Sequence, residues 1–154
     1  MASARYRRIV LGIGNIDRGD DAAGRLVVRL LKGSLPDDVE AAELDGEATA
    51  LLARFEGAEA AFLIDACRSG APPGTVRRLD VGMTRLPPGL FGLSTHAFGL
   101  AEAVEVARAL AWLPPCCILY AIEGSTFQTG FPPSPAVAAA VDDVAARLRI
   151  EIAG

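Results

Sequence analysis

Histidine occurs once in the 154 residues, at His96, and cysteine three times, at Cys67, Cys116 and Cys117. The cysteines are odd in number and stand in no zinc-ligand spacing, and adjacent Cys116 and Cys117 would point to opposite faces of a strand. They read as reduced thiols in a reducing compartment. Long apolar runs are missing too: Arg, Asp, Glu, Pro or Gly interrupts each stretch well before the ~20 residues that a membrane-spanning helix needs. Ile9-Val10-Leu11, behind Arg5, Arg7 and Arg8, ends at Gly12 and is too short for the apolar region of a signal peptide. The expectation is a cytoplasmic protein with no membrane partner. Nor is there an excess of basic charge: 15 basic against 19 acidic groups give -4. The molecule as a whole therefore has no electrostatic reason to bind nucleic acid.

What is present is a hydrophobic content of 51% with scattered charge, which suits one well-packed core and excludes disorder. We read residues 1–154 as a single domain. Arg8 to Leu11 is a short buried strand ending at a glycine turn. From Asp21 the spacing of Ala22, Leu26, Val27, Leu30 and Leu31 is helical, stopped by Gly33 and Pro36. Val39 to Leu44 reads as a strand, Asp45-Gly46 as a turn and Thr49 to Phe55 as a helix. Ala60 to Ile64 reads as a buried strand reaching Asp65. The loop through Pro72-Pro73-Gly74 is too short for a parallel crossover, so the strand Thr75 to Leu79 should run antiparallel to its predecessor. An irregular stretch from 82 to 95 leads to His96 and the helix Gly99 to Leu110. Cys117 to Ile122 is the last strand and Pro135 to Leu148 the closing helix. Alternating strands and helices predict a three-layer α/β/α domain with a mixed, mainly parallel sheet. Right-handed crossovers would bring the loops that begin at Gly12, Asp65 and Ile122 to one edge, where ligands bind in open α/β sheets.

Three candidates for chemistry follow, the first two of them at that edge. Gly12-Ile13-Gly14-Asn15, followed by Gly19-Asp20-Asp21, is not a dinucleotide fingerprint. Its third glycine is missing, and Asp20 and Asp21 stand where a pyrophosphate needs bare N–H groups. The two carboxylates suit a cation, or they cap the helix; one can do each. Asp65 is a carboxylate at a predicted strand end, a place where an Asp either satisfies turn backbone or serves a ligand. His96, in Ser94-Thr95-His96, is a cap or surface residue when read alone. It becomes a metal-ligand candidate because zinc or nickel favours imidazole together with carboxylate oxygens. Two oxygens and one nitrogen would hold a metal weakly and suit one that arrives with its own ligands. A serine or cysteine nucleophile scheme finds no Gly-x-Ser-x-Gly elbow.

These motifs in this order, Gly12-x-Gly14-Asn15 with Gly19-Asp20-Asp21 and Gly24, then Leu63-Ile64-Asp65-Ala66, then Ser94-Thr95-His96, resemble the [NiFe]-hydrogenase maturation endopeptidases. The similarity runs from about Arg8 to Leu148. It implies a five-stranded mixed sheet, and a nickel-contacting trio of Asp21, Asp65 and His96 that is also the catalytic set. It implies as substrate and partner the hydrogenase large-subunit precursor, cut near its C-terminus after nickel is inserted, with the nickel presented by that substrate. The metal would position the tail and polarise a carbonyl or water, or it would serve in recognition while one carboxylate acts as general base, as in aspartyl peptidases. Glu47, where many relatives carry a second glycine, departs from the pattern, as does Ile122-Glu123-Gly124, which lacks a common proline. Two rivals are a peptidyl-tRNA hydrolase-like esterase, which would need a basic face and a histidine soon after Asn15, and a non-catalytic metal-sensing domain. Met83 to Leu93, with Leu90 and Phe91, is a candidate lip for docking the substrate.

Overall fold

The computed structural model describes residues 7–91 and 99–154. Five strands form one sheet: β1 (Arg8–Ile13), β2 (Val39–Leu44), β3 (Ala60–Cys67), β4 (Val76–Asp80) and β5 (Cys116–Glu123), in the order β2-β1-β3-β5-β4. Only β4 runs antiparallel, along β5, as the short loop before it requires. The middle strands β1, β3 and β5 are apolar on both faces, because helices cover both. The edge strands β2 and β4 are less covered and expose charged residues, Glu40 on one and Arg78 and Asp80 on the other.

Alternate residues build two cores. Val10, Phe62, Ile64, Tyr120 and Ile122 pack with α1 (Ala23–Leu31) and α4 (Pro135–Ala153). Ile9, Leu11, Leu63, Cys117 and Leu119 pack with α2 (Ala48–Phe55) and α3 (Leu100–Ala109) on the opposite face. Each fully buried Leu, Ile or Phe contributes roughly 1.5–3 kcal/mol relative to exposure. Cys116 is exposed and Cys117 buried, the opposite-face arrangement expected of neighbours on a strand. Among the described residues no helix is long and apolar enough to cross a membrane.

The helix expected from Asp21 opens earlier, as a short 3₁₀ turn, Gly19–Ala22, that runs into α1. It lies hard against the sheet. A Cβ on Gly24 would sit 2.1 Å from the Ile64 carbonyl oxygen, and one on Gly12 would sit 2.2 Å from the Gly24 carbonyl oxygen. Glycine at both positions lets α1 start directly over the β1–β3 seam, and this closeness fixes where Asp21 can be.

Candidate active site

From β1 the chain moves outward to β2, then crosses back to β3 on the other side, so the strand order reverses between β1 and β3. Ligands of open α/β sheets bind beyond the carboxyl ends of strands at such a point. Here the 3₁₀ turn after β1 carries Asp21, and β3 carries Asp65.

Asp21 is held from the turn below it. Its Oδ2 accepts the Asn15 backbone N–H at 3.0 Å, while Asn15 Oδ1 accepts the Asp17 N–H at 2.9 Å and closes the turn. Gly14 has φ +139°, and a Cβ there would lie 1.9 Å from the Asp21 carbonyl oxygen, so a side chain at this position would push the turn away. The Gly-x-Gly-Asn sequence therefore cradles an acid rather than a phosphate.

Asp65 departs from expectation in one respect: β3 does not end there but continues to Cys67. Pairing with β1 stops one residue earlier, at Gly12 opposite Ile64, so Asp65 is still bonded to β5 while its β1 side opens into the cleft. It shares a strand face with Leu63 and Cys67. Burial pushes its carboxyl well above the usual carboxylate range, the Asp21 charge adds to the rise, and a backbone hydrogen bond at Ala66 works against it. Proton affinity raised in this way favours the protonated form and would be offset by an entering cation, a property that suits a general acid–base or a ligand to an incoming metal.

Asp21 and Asp65 line one cleft of about 800 Å³, with Arg18, Arg68 and Phe127 on one wall and Asp45, Glu47 and Glu105 among the residues elsewhere around it. His96 lies outside the described residues. Among the described residues no three His, Cys, Asp or Glu side chains are gathered so as to hold a metal, and the described part of the site offers two carboxylates.

Asp20 takes neither role expected of it. It is wholly buried, and it accepts N–H bonds from Ser125 at 2.8 Å, Thr126 at 3.0 Å and Ser134 at 2.6 Å, tying the loop after β5 to the turn after β1. The N-cap residue of α1, Ala22, has no side-chain cap. Glu47 caps α2, accepting the Thr49 N–H at 3.3 Å and the Thr49 hydroxyl, a local structural job. The proposed lip is also revised: Leu90 is only 2% exposed and Phe91 is partly buried against the α2–α3 core, although Met83 is 80% exposed. A run of turn residues hid the fact that the stretch folds back onto the core.

Glu123 was not singled out as a site residue from the sequence. Buried at the end of β5, it accepts the N–H groups of Ser69 at 2.8 Å and Gly70 at 2.9 Å, the Ser69 hydroxyl at 2.8 Å and the Cys67 thiol at 3.1 Å. Its burial opposes ionisation, but these donors outweigh it and hold the carboxyl below the usual range. An acid closing the otherwise apolar strand Cys-Cys-Ile-Leu-Tyr-Ala-Ile was the available signal. Glu123 fixes the loop after β3, which carries Arg68 to the cleft.

Fold and site together define an α/β protein with a carboxylate-lined cleft at a strand-order reversal. Residues 26–150 match the HycI hydrogenase maturation protease family, and the chain belongs to that family. It is similar to the hydrogenase expression/formation protein HupD of Thiocapsa roseopersicina, 28% identical over 117 residues that cover 75% of this chain and 53% of that protein. The chain thus spans about half the length of that relative. Among solved structures it resembles the hydrogenase maturating endopeptidase HybD from E. coli, with TM-score 0.73 and 29% identity over 94% of this chain and 93% of the other. The [NiFe] hydrogenase maturation protease HycI from Thermococcus kodakarensis shares the fold, with TM-score 0.72 and 22% identity over 99% and 96%.

Proposed function

We propose that this chain works as a single-domain cytoplasmic endopeptidase that removes the C-terminal extension from a nickel-loaded [NiFe]-hydrogenase large-subunit precursor. The observation that carries this is the meeting of Asp21 and Asp65 in one cleft at the β1–β3 reversal, in a chain of the maturation protease family. Three free cysteines suit a reducing compartment. Asp21, Asp65 and His96 are the residues assigned to contact the nickel, which is cargo of the precursor. Two carboxylates and one imidazole leave coordination positions for ligands that the substrate brings, so an unloaded precursor would lack the bridge between the two proteins.

In this scheme Asp21 and Asp65 place the tail against the metal-bearing end of the precursor. The carboxyl with the raised affinity for protons moves a proton during attack of water on the scissile carbonyl and protonation of the departing amine. The family match lends no support to the esterase rival, and a buried Asp65 with raised proton affinity has no task in a passive sensor.

The test is incubation of the purified protein with nickel-loaded and nickel-free precursor from the same source, following intact masses with time. Release of one C-terminal peptide from the loaded form alone is the expected result. Equal cutting of both forms would remove the nickel checkpoint, and cutting of neither would remove the endopeptidase reading.

A further inference from the structure

We infer that Arg18 and Arg68, gathered about the Phe127 ring, form a subsite that reads a carboxylate of the peptide being cut; the inference rests on the endopeptidase reading above. The guanidinium carbon of Arg68 lies 4.5 Å from the ring centroid and that of Arg18 lies 5.9 Å from it, both within cation–π reach. The ring is a seated platform. A Cβ on Gly124 would lie 2.6 Å from Phe127 Cζ and 2.9 Å from the Asp20 Cβ, so glycine there leaves the space the ring fills. Arg18 Nε donates to the Phe127 carbonyl oxygen at 2.9 Å. On the other side the Arg68 N–H donates to the Leu90 carbonyl oxygen at 3.1 Å, and Ser69 and Gly70 are held by Glu123. Both cations are therefore placed by tied backbone.

Neither guanidinium is hydrogen-bonded to a carboxylate among the described residues, although Arg18 makes a long ion pair with Asp21. Arg18 comes no closer than 4.0 Å to Asp21 Oδ2, beyond hydrogen-bond distance, and Arg68 has no carboxylate partner among the described residues. In a chain of net charge -4, two guanidiniums gathered on one ring in the cleft that holds Asp21 and Asp65 are not part of a general basic surface. Planar guanidinium groups take carboxylates through paired N–H bonds, and an aromatic face beneath them keeps the fork aimed. A peptide lying across Asp21 next to Arg18 would bring an acidic side chain near the cut, or the terminal carboxylate of a short tail, onto this wall. Its role is to set register and specificity, with no part in bond breaking.

The test uses the full chain, wild type and the variants Arg68→Ala and Arg68→Lys, with peptides spanning the cognate cut. One peptide is natural, one is amidated at its C-terminus, and one has its acidic side chains changed to amides. Binding is read by calorimetry, and processing of nickel-loaded precursor is followed separately. Wild type should lose roughly tenfold in affinity when the recognised carboxylate is neutralised, and the peptide that shows the loss identifies its source. Arg68→Ala should bind the natural peptide as weakly as wild type binds the neutral one and be indifferent to neutralisation, with Arg68→Lys between; KM should rise more than kcat falls. A merely structural prop would alter thermal unfolding without this coupling to peptide charge. The inference is overturned if wild type shows no preference for the charged peptides, absence of binding included, or if Arg68→Ala keeps the full preference. If the coupling stands while no precursor is cut, the endopeptidase reading fails and the anion subsite does not.

Discussion

The Asp20 carboxylate accepts the backbone N–H of Ser134, 114 positions further along the chain, at 2.6 Å. With the Ser125 and Thr126 N–H groups on the same carboxylate, the loops after β1 and β5 are joined directly behind Asp21. Burial works against the charged form, but the backbone donors outweigh it and hold the carboxyl below the usual carboxylate range. Asp20→Ala would take the carboxylate from three part-buried backbone N–H groups, those of Ser125, Thr126 and Ser134. It should cost about 2–4 kcal/mol in urea unfolding and reduce tail processing in parallel. Unfolding unchanged from wild type would show that water replaces the carboxylate at no cost.

A second prediction concerns pH. Glu43 on β2 accepts from Arg25 at 3.1 Å, Arg29 at 2.9 Å and Lys32 at 3.0 Å, all three on or just beyond α1. Burial alone would raise its carboxyl; the three cations outweigh burial and hold it at about 2, against an ordinary 4.5. A depressed carboxyl adds stability that is fully present above the ordinary value and is lost as pH falls through the folded one. The stability gap between wild type and Glu43→Gln, about 1–2 kcal/mol after allowance for the solvent-exposed partners, should stay flat down to about pH 5. Below pH 4.5 it should shrink, and it should be largely gone once the pH falls to about 2. Denaturant unfolding at stepped pH measures it, and a gap unchanged in acid would contradict the assignment.

Gly24→Ala should be severe. The added methyl would stand 2.1 Å from the Ile64 carbonyl oxygen and 2.7 Å from the Ile13 nitrogen, both backbone atoms of the central strands. Overpacking of this kind costs about 3 kcal/mol when the helix can shift, and the shift would carry Asp21 away from Asp65. Circular dichroism melting and the processing assay should fail together. Gly33→Ala, with open space for its methyl but a backbone at φ +85°, should cost about 1 kcal/mol through local strain and, at the far end of α1, leave processing intact.

The thiols supply a third kind of test. Cys67 and Cys117 are buried and Cys116 exposed; burial pushes all three thiols up, Cys117 to about 12. Iodoacetamide should therefore label Cys116 alone in the native protein and all three in urea, counted by mass. Processing should survive the native labelling, because the proposed chemistry assigns no thiol as nucleophile. Loss of activity on alkylation would reopen cysteine chemistry.

Much of this was legible in the sequence because burial on both faces leaves its mark on composition. Strands β1, β3 and β5 read as apolar runs, and the short loop through Pro72 and Pro73 was enough to reverse β4. That Asp21 and Asp65 would share one edge was legible because an acid beside a glycine turn or closing an apolar run is conspicuous. Asp20 and Glu123 resisted, since their partners, Ser134 and Ser69, lie 114 and 54 positions away and donate mostly through backbone that no side-chain pattern announces. Leu90 misled for the related reason that a turn-rich segment carries no periodicity to say which of its residues turn inward.

The most direct measurement is the rate of tail release from nickel-loaded precursor by Asp21→Asn, Asp65→Asn and His96→Ala, each first shown to melt as wild type does. The expected result is a loss of at least about a hundredfold for each variant, in line with removal of a positioned acid–base or metal-contacting group. Release at the wild-type rate by either carboxylate variant would contradict the assignment of the β1–β3 cleft as the place where the tail is cut.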